Sequence, residues 1–145
     1  MTAVLALTAL LHAGAAERHD PRDLVLLAPV IAQACEARAP VLPPHGAECV
    51  RIVVAIWAVE TAHTFSLHPT PRHAFGPLQV LEVPGLTPPG TVMLWSEAGW
   101  RAGVRIFRIK FRRAGGRLGL AFRHYNGARY RAAYARRALK VWRRL

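Results

Sequence analysis

Acidic residues are scarce in this chain: eight Asp and Glu stand against 20 Lys and Arg in 145 residues, a formal net charge of +12. A field of that sign attracts polyanions such as nucleic acid, anionic lipid or acidic cell-wall polymer, without choosing among them. Cysteine is also sparse. Cys35 and Cys49 are the only two, which excludes a disulfide-dense scaffold. One bridge in an oxidising compartment or two buried thiols both fit, with buried thiols the expectation. No apolar stretch approaches the ~20 residues of a membrane-spanning helix, so no transmembrane span is expected. Internal repeats are absent, as is any sustained apolar-polar alternation of the kind that marks half-buried strands.

What is present is a predominantly helical pattern. With 52% hydrophobic residues in 145, the chain has material for one core and one domain. Met1 to Ala16 reads as a short apolar core followed by small residues. It is either an export signal, although Lys and Arg are missing from its start, or an N-terminal helix packed on the domain. Asp20-Pro21-Arg22-Asp23 predicts a helix start, with Asp20 as N-cap and Pro21 at the first helical position. That helix should cover Leu24 to Arg38, with a kink or break at Pro29. A Pro-rich connector over Ala39 to Gly46 leads to a second, nearly all-apolar helix from about Ala47 to Ala62.

Thr64 to Thr91 carries Pro69, Pro71, Pro77, Pro84, Pro88 and Pro89, too many for a long helix. An irregular segment of that length inside a small domain is expected to line a site, with short turns or a hairpin interrupting it. Ser96-Glu97 opens the next helix, with Trp100, Val104, Phe107 and Phe111 as its core stripe and Gly115-Gly116 as its end. Leu118 to Tyr125 and a final helix from about Ala128 complete the chain.

Glu60 is the residue whose placement asks for a chemical reason. It ends the apolar run from Val50 to Val59. Near a helix C-terminus in apolar surroundings, burial and the negative end of the helix dipole both disfavour the charged carboxylate. Both effects raise its pKa, and a carboxylic acid still protonated near neutral pH can act as a general acid. The competing reading is a salt-bridged or exposed Glu at a helix end.

Two further segments give Glu60 a context. Thr70-Pro71-Arg72-His73-Ala74-Phe75-Gly76-Pro77-Leu78-Gln79 follows it, and His124-Tyr125-Asn126-Gly127 lies far downstream. Glu60 and these motifs, in this order, resemble the lysozyme-like lytic transglycosylases of the soluble type. In that family the catalytic Glu ends a buried helix. A Ser-x-x-Gly-Ala-x-Gly-Leu-Met-Gln segment comes next, and an Ala-Tyr-Asn element closes a short helix. Ala74, Gly76 and Gln79 match outright, and the resemblance extends from about Asp20 to the C-terminus. Thr70 stands for Ser, His73 for Gly, Pro77-Leu78 for Leu-Met and His124 for Ala; Thr keeps a hydroxyl and Leu an apolar contact, while His73 and Pro77 imply a reshaped substrate loop.

The resemblance implies a mainly α, lysozyme-like domain over residues 17–145 with a long irregular substrate-cleft loop. It implies cleavage of peptidoglycan between N-acetylmuramic acid and N-acetylglucosamine, giving 1,6-anhydro products. Glu60 would protonate the glycosidic oxygen and then, as carboxylate, deprotonate the muramoyl C6 hydroxyl. Thr70, Gln79, Tyr125 and Asn126 would bind substrate, Gln79 through its amide and Tyr125 through a phenol able to hold Glu60 or the sugar. A hydrolase would need a second carboxylate about 5 Å away for retention, or about 6.5–9.5 Å for inversion. Only Glu82 and Glu97 follow Glu60, read as a solvated loop acid and a first-turn helix acid.

No cofactor or metal is expected. His63, His68 and His73 recur at five-residue spacing, not the four of helical ligands, with no Cys or carboxylate beside them. Arg129 to Leu145 interleaves basic and aromatic residues. It reads first as a solvated helix with one face on the core, and second as a surface drawn to anionic cell-envelope polymers; nucleic acid is not the expected partner. The expected location is the periplasm or cell envelope, for a bacterial or phage-encoded chain. The alternatives are a hydrolytic muramidase on the same scaffold, a non-catalytic basic helical protein binding wall or nucleic acid, and a degenerate wall-binding domain.

Overall fold

The computed structural model describes residues 2–36, 42–61, 74–93, 97–126 and 131–145. Among these, seven α-helices and one minimal hairpin form the fold, which is mainly α. Helix α1 is Thr2–His12, and a 3-10 turn at Ala15–Glu17 leads to α2, Pro21–Cys35. Ala6, Ala9 and Leu10 of α1 are buried against α2 and α3, the latter Gly46–Thr61.

Asp20 caps α2 as the sequence predicts, its Oδ1 accepting the Arg22 N–H at 2.8 Å. Pro29, in contrast, does not break the helix, which is continuous from Pro21 to Cys35. The proline lies on the exposed face. There water can satisfy the carbonyl one turn back that loses its donor, so the local cost is small against the burial of Leu24, Ala28, Ile31 and Ala32 on the other face.

The two cysteines are not thiols. Cys35 at the end of α2 and Cys49 in the first turn of α3 form a disulfide with Cα atoms 5.6 Å apart, correcting the expectation from sequence. Arg108 reinforces the same corner. Although nearly all of this side chain is buried, its guanidinium donates to the Pro44 carbonyl and to the Cys35 carbonyl, each at 3.1 Å. Burial pulls its pKa below the ordinary arginine value, but the two carbonyls occupy donors that would otherwise lie dry and unpaired.

Strands β1 (Ala74–Phe75) and β2 (Val80–Leu81) pair antiparallel, and a single-turn helix α4 (Gly90–Met93) follows. This hairpin and turn occupy part of the stretch expected to be irregular; residues 62–73, including Thr70, His63, His68 and His73, lie outside the described residues. The segment sits tightly on α5, Glu97–Arg113. Trp100, Val104 and Phe107 of α5 are buried and Phe111 half-buried, and Trp100 meets the buried Trp57 of α3 edge-on at 5.6 Å. Helix α5 ends in a double glycine cap: Gly115 and Gly116 have φ of 61° and 76°, and their N–H groups donate to Arg112 and Phe111 carbonyls at 2.9 and 3.0 Å. Helices α6 (Leu118–Asn126) and α7 (Arg131–Trp142) form the last layer.

Small residues on α5 let the hairpin approach. A Cβ at Gly103 would overlap the buried Leu78 side chain, and one at Gly99 would strike the Met93 carbonyl. We expect Gly103→Ala to lower stability by about 1–3 kcal/mol, the usual range for overpacking, and a thermal melt will read it. The expected direction is opposite to the small gain Ala brings in an open helix.

Candidate active site

Two antiparallel helices set the surroundings of Glu60. The Arg51 guanidinium near the start of α3 lies 4.6 Å from the Trp142 ring centroid and donates to the Trp142 carbonyl at 3.0 Å. With that register fixed, nine residues forward along α3 and eight back along α7 bring Glu60 to Tyr134. The two rises, about 13 and 12 Å, agree closely. Arg137, less than one turn beyond Tyr134, adds its charge to the same neighbourhood.

Burial raises the Glu60 pKa from an ordinary 4.5 to about 7, against the lowering effects of the Tyr134 hydroxyl and the Arg137 charge. The Tyr134 contact falls short of a well-formed hydrogen bond, yet it is close enough for the carboxylate to push the Tyr134 phenol well above its ordinary value, after burial itself. Glu60 is therefore poised between acid and base near neutrality.

Tyr125 joins this carboxyl to the motif residues. Its ring packs 5.9 Å from that of Phe107, and its hydroxyl donates to the Leu78 carbonyl at 2.8 Å. Burial, then the Glu60 charge, push its pKa well up, so it stays a phenol. Its proton is committed to Leu78, which leaves holding Glu60 to Tyr134. Sequence reasoning missed Tyr134 and Arg137, treating them as part of a solvated basic helix. The usable signal was the buried stripe Tyr134, Ala135, Ala138 at helical spacing.

Leu78 precedes Gln79, whose φ of 50° is the one positive value at a non-glycine among the described residues. The backbone N–H of Gln79 and its Nε2 both donate to the Gly76 carbonyl, at 3.2 and 2.9 Å. These bonds hold a conformation that ordinarily costs about 1–3 kcal/mol outside glycine. With Nε2 turned to Gly76, the Gln79 Oε1 is an acceptor that a ligand donor can use.

Gln79, Tyr125 and Asn126 line one cavity of about 420 Å³, together with Ile106, Lys110 and His124. Glu60 does not line it; Tyr125 is the residue common to the cavity and the carboxyl neighbourhood. The structure thus brings three of the four expected binding residues together, while Thr70 lies outside the described residues. The other acids after Glu60 have structural duties. Glu82 accepts the Gly90 N–H at 2.9 Å, capping α4, and Glu97 pairs with Arg101 one turn on. Comparison with protein-family models, curated proteins and solved structures returned no match to this chain.

Proposed function

We propose that this chain is a peptidoglycan-cleaving enzyme of lysozyme-like architecture, a lytic transglycosylase with Glu60 as its acid and base. The observation that carries this reading is one half-buried carboxyl whose pKa desolvation raises to about 7, coupled through Tyr125 to a cavity that also holds Gln79 and Asn126. Protonated Glu60 donates to the glycosidic oxygen as the bond to the muramoyl C1 breaks. The resulting carboxylate, eased by Tyr134 and Arg137, then takes the C6 hydroxyl proton as that oxygen bonds to C1. One carboxyl serves both steps, and the product is lighter than a hydrolysed one by a water. Lys110 and Arg113 on the cavity wall suit the carboxylates that muramoyl groups and their peptides carry. The Cys35–Cys49 disulfide supports a periplasmic or envelope location, since such bonds persist in oxidising compartments.

Mass analysis of soluble products from peptidoglycan tests the reading. Anhydro products from the wild type, absent with Glu60→Gln, are expected. Products carrying an added water would make it a muramidase, and no products beside a working control would leave a wall-binding domain.

The pH profile gives an independent check. Only protonated Glu60 starts the reaction, so kcat/KM should fall above a midpoint near pH 7. Tyr134 and Arg137 both lower this pKa. Tyr134→Phe and Arg137→Gln should therefore move the alkaline limb to higher pH, whereas a purely structural role would lower the rate without moving the limb.

A further inference from the structure

A second concavity, which Glu60 does not line, lies between the last two helices. Helices α6 and α7 leave between them an open groove of about 390 Å³, with Leu120, Ala135 and Leu139 among its lining and Arg117, Arg123 and Arg136 around them. All three arginines are exposed, and none forms an ion pair among the described residues, where the salt bridges use Arg22, Arg51 and Arg101. The reason is in the sequence: no Asp or Glu follows Glu97, while Arg and Lys recur to the end. Three guanidinium groups thus converge on one concavity with no carboxylate of their own helices to neutralise them.

Two details suit an oxyanion. Arg117 is braced by Nε donating to the Ala114 carbonyl at 3.2 Å, which leaves its terminal nitrogens for a ligand. Gly119 lines the groove in the first turn of α6, where helix N–H groups and the positive dipole end favour negative charge, with the Leu139 side chain packed beside it. We propose that the α6–α7 groove binds a phosphodiester polyanion whose repeat is a sugar or polyol, not a nucleobase. Phosphate suits the bidentate fork of arginine. Among the described residues the groove lining includes no aromatic ring, whereas single-stranded nucleic acid binding relies on stacking bases on such rings.

The test uses the full chain and measures binding directly, so it stands or falls apart from the chemistry at Glu60. Inorganic polyphosphate is titrated against the wild type, against the groove triple Arg117→Gln/Arg123→Gln/Arg136→Gln, and against Lys140→Gln/Arg143→Gln/Arg144→Gln, which removes equal charge outside the groove. The groove triple should lose at least tenfold in affinity and shed about two from the slope of log K on log salt, at about 0.7 per lost phosphate contact. The control triple should lose less than half as much on a logarithmic scale. All six residues are exposed, so matching thermal melts are expected and confirm that binding, not folding, has changed. Equal losses in both triples would reduce the groove to a diffuse basic field and overturn the proposal. Tighter binding of single-stranded DNA with the same number of phosphates, or groove-dependent binding of phosphatidylglycerol vesicles without binding of polyphosphate, would also overturn it.

Discussion

Replacing Glu60 with Gln should abolish peptidoglycan cleavage and, above pH 7, make the protein more stable. On the proposed mechanism the rate loss follows from removing the group that donates and then accepts the proton, an effect of about 10²–10⁴-fold for each such role. The stability gain has a separate origin. The folded chain holds the Glu60 proton to about pH 7, whereas the group's ordinary pKa is 4.5. Between those values the native state binds more protons than the unfolded state, so stability falls as pH rises through that window and levels off above it. The charged carboxylate at pH 8 then costs about 3 kcal/mol. An amide of the same shape escapes that cost but brings its own need for partners, so a net gain of about 1–3 kcal/mol is expected. Calorimetry at pH 8 should show a Tm higher by several degrees. At pH 5, where wild-type Glu60 is already largely neutral, the difference should shrink towards zero. A variant less stable at both pH values would instead assign Glu60 to the ordinary duty of a hydrogen-bonded helix end.

Glu60 was legible because a carboxyl at the end of an apolar run is a local conflict, and local conflicts show in a sequence. The caps of α2 and α5 were legible for the same reason, being decided within a few residues by Asp20-Pro21 and by Gly115-Gly116. Tyr134 and Arg137 were not, because their proximity to Glu60 depends on the antiparallel register of α3 and α7. That register is fixed by Arg51 against Trp142, 91 residues apart in the chain. Pro29 misled for a related reason: its effect depends on which face of the helix is wet, and periodicity there is blurred by Val25 and Leu26, apolar but exposed. Gln79 was visible as a motif residue, but its left-handed backbone was not, since a positive φ is uncommon for a glutamine and nothing in the residue types from Gly76 to Gln79 marks Gln79 as adopting it.

Reduction of the Cys35–Cys49 disulfide, or replacement of both cysteines by serine, should lower stability by about 3 kcal/mol while leaving the fold and the Glu60 chemistry intact at low temperature. The sequence separation is 14, and closing a loop of that size removes entropy from the unfolded ensemble and raises its free energy by about that much. The folded state has little room to relax and recover the loss. Arg108 holds the Cys35 and Pro44 carbonyls from α5 whether or not the sulfurs are joined, so the corner between α2 and α3 should keep its shape. At about 2–4 °C per kcal/mol for a chain near this size, Tm should fall by about 6–12 °C. Cleavage measured well below that Tm should be nearly unchanged, because Glu60 stands at the opposite end of α3 from Cys49. A Tm indifferent to reductant would mean that the bridge does not form in solution and would remove the disulfide's support for an oxidising compartment. A loss of cleavage at temperatures where the reduced protein is still folded would mean that the corner, through α3, positions Glu60 itself.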